Sequence, residues 1–216
     1  MDILFILIGI VGFAFAIIVH EVSHGFVADK LGDPTARLMG RLTLNPIPHI
    51  DIYGTILVPA LLFLLHSPFI FGWAKPVPID PYNLKNPRKD TALISLAGPA
   101  SNIIFAVLLS LFLRILLILY PTGPFFTLFY YLIEFNIILA VFNLIPVHPL
   151  DGEKIVVGLL PAKEARGFNI FMERFGLILI FLLIFPIFNG NSLISPVINP
   201  VINFFLHFLI PGFSTI

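Results

Sequence analysis

The chain has 216 residues, of which 58% are hydrophobic and only 11% are charged, and its mean hydropathy is +1.03. A soluble protein, with about 25% charged residues, has far more polar surface than this composition provides. Lys and Arg balance Asp and Glu at 12 each and there is no cysteine, which excludes a disordered chain, a nucleic-acid-binding protein, a disulfide scaffold and a thiolate metal site. The composition predicts an all-α polytopic membrane protein.

Apolar segments divide the chain. A helix needs roughly 20 residues to cross a hydrocarbon core of about 30 Å. Four segments meet that length, at about 3–28, 91–119, 125–147 and 168–188. Two further apolar segments, 52–71 and 193–210, contain prolines that favour breaks or helix ends. The pattern predicts five to six transmembrane or re-entrant segments.

Basic residues fall into three groups, which the positive-inside rule assigns to the cytoplasm. The groups are Lys30, Arg37 and Arg41; Lys75, Lys85, Arg88 and Lys89; and Lys154, Lys163 and Arg166. A complete crossing by 52–71 would separate the first two groups, so we expect a re-entrant or shallow broken helix there. No soluble domain fits, and residues 1–216 are expected to form one intramembrane domain, with a core at about 3–165 and C-terminal membrane segments at about 166–216.

The first apolar segment contains His20-Glu21-Val22-Ser23-His24. Ionisable groups at membrane depth are functional by default. Histidines at i and i+4 share one helix face, and the glutamate beside the first can reach a water bound to a metal there. Catalytic zinc takes such imidazoles, a third protein ligand and a water. The alternative interpretation is two interfacial histidines with a snorkelling glutamate.

A third ligand should lie, like His20, at the cytoplasmic end of a span. The remaining His, Glu and Asp candidates at or near membrane depth are His49, His66, His148, His207, Glu134 and Asp151. Asp151 closes the span 125–147 on that side, whereas Glu134 lies nearer the middle or the outer half. Asp151 is therefore the favoured ligand, with a helix cap before Gly152 as its alternative role.

Three motifs in this order resemble those of the site-2 protease family of intramembrane zinc metalloproteases (peptidase family M50), in particular its compact members without a PDZ or CBS domain. They are the HExxH at 20–24, Gly98-Pro99-Ala100-Ser101-Asn102, and Asn143 and Pro146 followed by Leu150-Asp151-Gly152. The stretches 40–46 and 71–78 are similar to the compact branch as well. The resemblance covers most of residues 10–165.

The resemblance implies one Zn²⁺ per chain, bound by His20, His24 and Asp151. It implies that Glu21 is the catalytic general base and then the general acid. His148, where the family would have an apolar residue or proline, leaves a second candidate for the third ligand. Pro149 argues against a regular helix that presents both, and we interpret His148 as a neighbour of the site.

Two asparagines are further catalytic candidates. Asn143 stands where the family has an asparagine and can offer an amide to the tetrahedral oxyanion; its alternative is a helix cap before Pro146. Asn102 is expected at the depth of the zinc, where a catalytic role and an interhelical hydrogen bond are equally compatible with the sequence.

The sequence also predicts a short membrane-associated β-hairpin. Polar and apolar residues alternate over 41–44, and prolines favour an extended segment at 73–79. We expect this strand to pair with an unwound substrate by β-augmentation; the alternative is an ordinary interfacial hairpin.

These features together predict a zinc endopeptidase of the prokaryotic cell membrane that cleaves within or near a transmembrane segment, close to the cytoplasmic face. The predicted partners are a membrane-protein substrate with a transmembrane helix and the lipid bilayer, with no nucleic acid. A divalent-metal transporter or channel is the main alternative, because His and Asp can line an ion path. An inactive relative that only binds membrane partners is another.

Overall fold

Helices make up most of the chain in the computed structural model, which describes residues 3–66, 72–120, 125–185 and 192–212. Side chains are described from residue 8 onward. The α-helices of these ranges are α1 Ile3–Leu31, α2 Thr35–Leu38, α3 Val58–Leu64, α4 Pro87–Leu119, α5 Phe125–Asn143, α6 Asp151–Leu159, α7 Ala162–Ile184 and α8 Ser195–Leu209.

Four helices are long and apolar enough to cross a membrane: Ile8–Leu31, Pro87–Leu119, Phe125–Asn143 and Ala162–Ile184. They coincide with the four predicted spans, although α5 ends earlier and α7 begins earlier than the hydropathy indicated. The end of the predicted fourth span, 186–188, lies outside the described residues. The α8 helix has 15 residues, about 22 Å, and is too short to cross. The described structure thus has four candidate spans, and the predicted count of five to six is not confirmed.

The segment predicted at 52–71 is a broken helix as far as the structure describes it. A π-helical turn at Ile52–Leu57 runs into α3, and residues 67–71 lie outside the described part. The Asp51 carboxylate accepts a hydrogen bond from the Gly54 amide at 2.7 Å and so caps the turn. The Trp73 amide donates to the Gly54 carbonyl at 3.2 Å, which attaches the following loop to this turn.

The prediction of a β-hairpin at 41–44 is wrong for the described residues, which contain no strand. The Arg41 guanidinium donates to the carbonyls of Lys75 and Pro76, at 2.6 and 3.2 Å. The polar side chain of the alternating pattern therefore binds a loop. Pro76 and Pro78 have no N–H, so the 73–79 segment lacks donors for a regular ladder.

A buried carboxylate fastens this loop to the end of α1. Asp33 accepts hydrogen bonds from the Asp80 amide at 2.7 Å, the Asn83 side chain at 2.9 Å and the Thr35 hydroxyl. Burial alone would raise the pKa of Asp33, but the hydrogen bonds from Thr35, Asn83 and the Asp80 amide outweigh it and hold the pKa below its usual range. The loop that crosses the HExxH region is thereby anchored at its far end.

The α4 helix is the centre of the bundle and packs against α1, α5, α6 and α8. Ile133 and Ile137 of α5 and Leu206 of α8 are buried against Leu113 of α4. Toward the same end, the Arg114 guanidinium, which could have snorkelled alone to the interface, donates to the Phe208 carbonyl at 2.9 Å. Pro196 lies in the first turn of α8, as the prediction of helix ends at prolines requires, whereas Pro200 lies inside the helix and does not interrupt it.

Candidate metal centre

Three predicted ligands come together between α1, α4 and α6. His20 and His24 lie one turn apart on α1, with ring centroids 4.7 Å apart, and both are buried. Their Nε2 atoms lie 3.1 and 3.2 Å from the same oxygen, Oδ2 of Asp151, the first residue of α6. One donor atom from each residue falls within 4.8 Å of the others, a spacing that could hold a metal ion.

Hydrogen bonds on the far side of each ring determine which nitrogen faces the cluster. Nδ1 of His20 donates to Oδ1 of Asn102 at 2.7 Å, and Nδ1 of His24 donates to the Ile94 carbonyl at 2.7 Å. A carbonyl oxygen can only accept, so each neutral ring carries its proton on Nδ1 and directs the Nε2 lone pair inward. Two lone pairs and a carboxylate oxygen then converge without a proton between them, an arrangement that a cation stabilises and that suits zinc.

The hydrogen bond to His20 belongs to a buried chain of amides. Nδ2 of Asn102 donates to the Ala16 carbonyl at 3.1 Å and to Oδ1 of Asn136 at 3.0 Å. Nδ2 of Asn136 donates in turn to the Leu132 carbonyl at 2.8 Å. Asn102 and Asn136 are almost fully buried. Asn136 was not among the predicted site residues, although an amide in the middle of the strongly apolar α5 is a signal that could have identified it.

Two motif glycines allow these elements to approach closely. A Cβ on Gly98 would lie 2.5 Å from Cε1 and Nε2 of His24 and 2.6 Å from Cε1 of His20, so α4 passes beside both imidazoles only because this residue has no side chain. A Cβ on Gly152 would collide with the carbonyls of Leu144 and Ile145. Gly152 thus lets the chain turn sharply after α5 and bring Asp151 back to the histidines.

The carboxylate of Glu21 lies beside the metal cluster and is partly exposed. Its Oε2 accepts a hydrogen bond from the Val77 amide at 2.9 Å. Val77 follows the two carbonyls that Arg41 holds, so Arg41 fixes the loop that orients the carboxylate. Nothing in the sequence pointed to a backbone amide as the partner of Glu21.

The other candidate residues have hydrogen-bond partners outside the group of His20, His24 and Asp151. Nδ1 of His148 pairs with Oε2 of Glu153 at 3.0 Å, so the structure does not bring His148 into the cluster. Nδ2 of Asn143 donates to the Leu139 carbonyl of its own helix at 2.9 Å. Glu134 accepts from the Tyr130 hydroxyl at 3.4 Å, as a structural role predicts.

Comparison with known proteins identifies the family of the chain. The sequence model of peptidase family M50 matches residues 8–122 and 120–185. The chain is 39% identical over 189 residues to "Putative zinc metalloprotease YwhC" of Bacillus subtilis (strain 168), a match that covers 83% of this chain and 80% of that protein. It is 30% identical over 189 residues to "Putative zinc metalloprotease Rip2" of Mycolicibacterium smegmatis, covering 86% of this chain and 69% of the relative. No solved structure is a significant match.

Proposed function

Because the chain belongs to peptidase family M50, we propose that it is a zinc-dependent intramembrane endopeptidase that hydrolyses a peptide bond within or near a transmembrane segment of another membrane protein. The observation that carries the proposal is the cluster of His20, His24 and Asp151 beside Glu21, with both histidines inside an apolar helix long enough to span a membrane. A set of metal ligands with an adjacent carboxylate is the minimum that metal-assisted hydrolysis requires.

We assign one zinc ion to His20, His24 and Asp151. Two neutral imidazoles and a carboxylate match the ligand set of catalytic zinc, which leaves a fourth position for water or substrate. When bound, the metal supplies polarisation of the scissile carbonyl and a lowered pKa for water. The hydrogen bonds from Nδ1 of both histidines hold the rings ready for the ion.

Glu21 moves the protons of the reaction. Its carboxylate accepts a proton from the attacking water and then delivers it to the amine that leaves, which is general base and general acid catalysis by one group. The Val77 amide holds one carboxylate oxygen at 2.9 Å and leaves the side chain partly exposed, so that water can reach it. Such proton transfer contributes about 10²- to 10⁴-fold to the rate.

The two asparagines receive different roles. Both amide ends of Asn102 are already bonded, so it has no donor left for a substrate, and we assign it the positioning of His20. Asn143 is partly exposed and uses Nδ2 only for the carbonyl of Leu139, a bond that it can exchange for the developing oxyanion. Asn143 is therefore our candidate oxyanion donor.

The substrate is a membrane protein with a transmembrane helix. Amides of a regular helix are already hydrogen-bonded, so the scissile segment has to unwind beside Glu21. The 72–80 loop, with its own irregular backbone next to that carboxylate, is where the unwound chain would lie. The basic groups beyond the histidine end of α1 favour the cytoplasmic side for the site, and the proposed location is a prokaryotic cell membrane.

The test is cleavage of a single-span reporter protein by the purified chain. Glu21→Gln is expected to bind one zinc per chain and to cleave about 10²- to 10⁴-fold more slowly than wild type. The control Glu164→Gln, at the exposed start of α7, is expected to have the zinc content and the cleavage rate of wild type. If wild type and Glu21→Gln are equally inactive on diverse single-span proteins while zinc is stoichiometric, the protease assignment fails. Metal uptake into vesicles that does not depend on Glu21 would then favour a transporter.

A further inference from the structure

A cavity of about 400 Å³ lies where the N-terminal ends of α4 and α7 meet the side of α6. Arg88 of α4, Lys154 of α6 and Arg166 of α7 line it, and none of its lining residues is acidic. In the sequence these cations belong to two basic groups more than 60 positions apart. There they indicate only the orientation of the chain in the membrane. The fold brings them around a single space.

The three cations have no partner within the described part of the chain. None of them takes part in the ion pairs there, and Nη1 of Arg88 is buried without any hydrogen-bond partner. Like charges around one cavity repel one another, and a buried guanidinium nitrogen without an acceptor is destabilising. An anion in the space reduces the repulsion among the three cations.

The cavity is held in shape by close helix packing. A Cβ on Gly158 of α6 would collide with Ala92 of α4 and come within 3.2 Å of the Arg88 carbonyl. This contact sets Lys154, one turn earlier on α6, next to Arg88.

The position and the lining indicate what kind of anion fits. Both α4 and α7 are candidate spans that begin here, which places the cavity at the boundary between hydrocarbon and headgroups. Its remaining wall includes Val157, Ala162 and Ala165, an apolar surface beside a ring of cations. Asn169 also lines it, and one N–H of its amide donates to Glu173 at 2.7 Å.

We propose that this cavity binds a phosphate group, carried by an anionic phospholipid or by a soluble phosphorylated compound. Arginine and lysine recognise phosphate by charge-assisted hydrogen bonds, and the apolar wall suits the glycerol and first methylenes of a lipid. Because α6 begins at Asp151, a ligand that bridges α4, α6 and α7 also steadies the helix that presents the third metal-site residue.

The test compares two triple variants with the same loss of charge. Arg88→Gln/Lys154→Gln/Arg166→Gln removes the lining cations, and Lys85→Gln/Lys89→Gln/Lys163→Gln removes three lysines of the same basic groups that do not line the cavity. Native mass spectrometry of the purified full chain measures the affinity for phosphatidylglycerol and, as the neutral comparison, phosphatidylcholine. Calorimetry with sodium phosphate and with ATP measures the soluble source.

Each basic residue near an anionic headgroup contributes about fivefold. The lining triple is therefore expected to weaken phosphatidylglycerol binding about 100-fold, and the lysine triple less than about threefold. Loss of phosphate or ATP binding in the lining triple alone would identify the soluble source instead. Equal losses in the two triples, or no saturable binding of any of these compounds to wild type, would overturn the proposal.

If the lining triple does not fold, which the absence of a cooperative unfolding transition would show, two single variants are compared instead, Arg88→Gln and Lys89→Gln. Arg88→Gln is expected to weaken binding about fivefold and Lys89→Gln to leave it unchanged. Binding is measured without proteolysis, so failure here leaves the protease assignment untouched.

Discussion

Replacing Asn102 with leucine tests whether the amide chain prepares His20 for zinc. The substitution keeps the branched shape and the number of side-chain heavy atoms, and it removes the acceptor that lies 2.7 Å from Nδ1 of His20. It also removes the donor to the Ala16 carbonyl and to Oδ1 of Asn136. The ring then loses the bond that keeps its proton on Nδ1, and its Nε2 lone pair is no longer directed at the cluster.

The expected changes in zinc affinity and in the free energy of unfolding follow from the hydrogen bonds that Asn102 makes. Loss of such a partner to a ligating histidine lowers metal affinity or activity about 10- to 100-fold. Leaving buried polar atoms without partners lowers the free energy of unfolding by about 1–3 kcal/mol for each unsatisfied group. Asn102→Asp preserves an acceptor oxygen for His20 and is expected to retain zinc within about tenfold of wild type. Asn136→Leu leaves the bond to His20 in place and is expected to have a smaller effect than Asn102→Leu.

The assay is competition for zinc between the purified protein and a chromogenic chelator, with thermal unfolding measured in parallel. Ser110→Ala is the matched control, because Ser110 is also a buried polar residue of α4 and donates to the Leu209 carbonyl far from the metal cluster. It should lower stability and leave zinc affinity unchanged. A folded Asn102→Leu protein that binds zinc as tightly as wild type would refute the positioning role.

Three further substitutions test other parts of the site. Gly98→Ala puts a methyl group 2.5–2.6 Å from both imidazoles and should abolish stoichiometric zinc, whereas Gly167→Ala, with nothing within 4 Å, should bind it normally in a metal assay. Asp151→Ala should lose zinc and His148→Ala should keep it; the reverse result would reassign the third ligand. Asp33→Asn should lower the thermal unfolding temperature at pH 7. Because the folded-state pKa of Asp33 lies below its unfolded value of about 3.9, its contribution is present above that pH and is lost as the pH falls through the folded-state pKa, so the two proteins should converge in acid.

Much of the fold was predictable from the sequence because the controlling signals are local. The length of an apolar run decides whether a helix can cross a bilayer, and all four long runs are long helices. His20 and His24 share a helix face by their spacing alone. Asp151 required one non-local argument, the side of the membrane on which its span ends, and the structure places it beside both histidines.

The failures have physical causes too. The alternation at 41–44 is compatible with a strand, but the loop that Arg41 binds contains Pro76 and Pro78 and cannot supply a ladder. The acceptor for His24 and the donor to Glu21 are main-chain groups, the Ile94 carbonyl and the Val77 amide, and every residue of a chain carries such groups. Backbone partners therefore have no compositional signal, and only the packing of α4 and the loop reveals them.

The 131 positions that separate His20 from Asp151 bear on how the protein is made. The ribosome releases the histidine pair into the bilayer long before it synthesises the aspartate, and α4 must insert beside α1 in the meantime. A nascent chain therefore has an incomplete ligand set until α6 emerges. Any activity that needs all three side chains is therefore absent until α6 has been synthesised, and a chain that terminates before Asp151 has only the histidine pair.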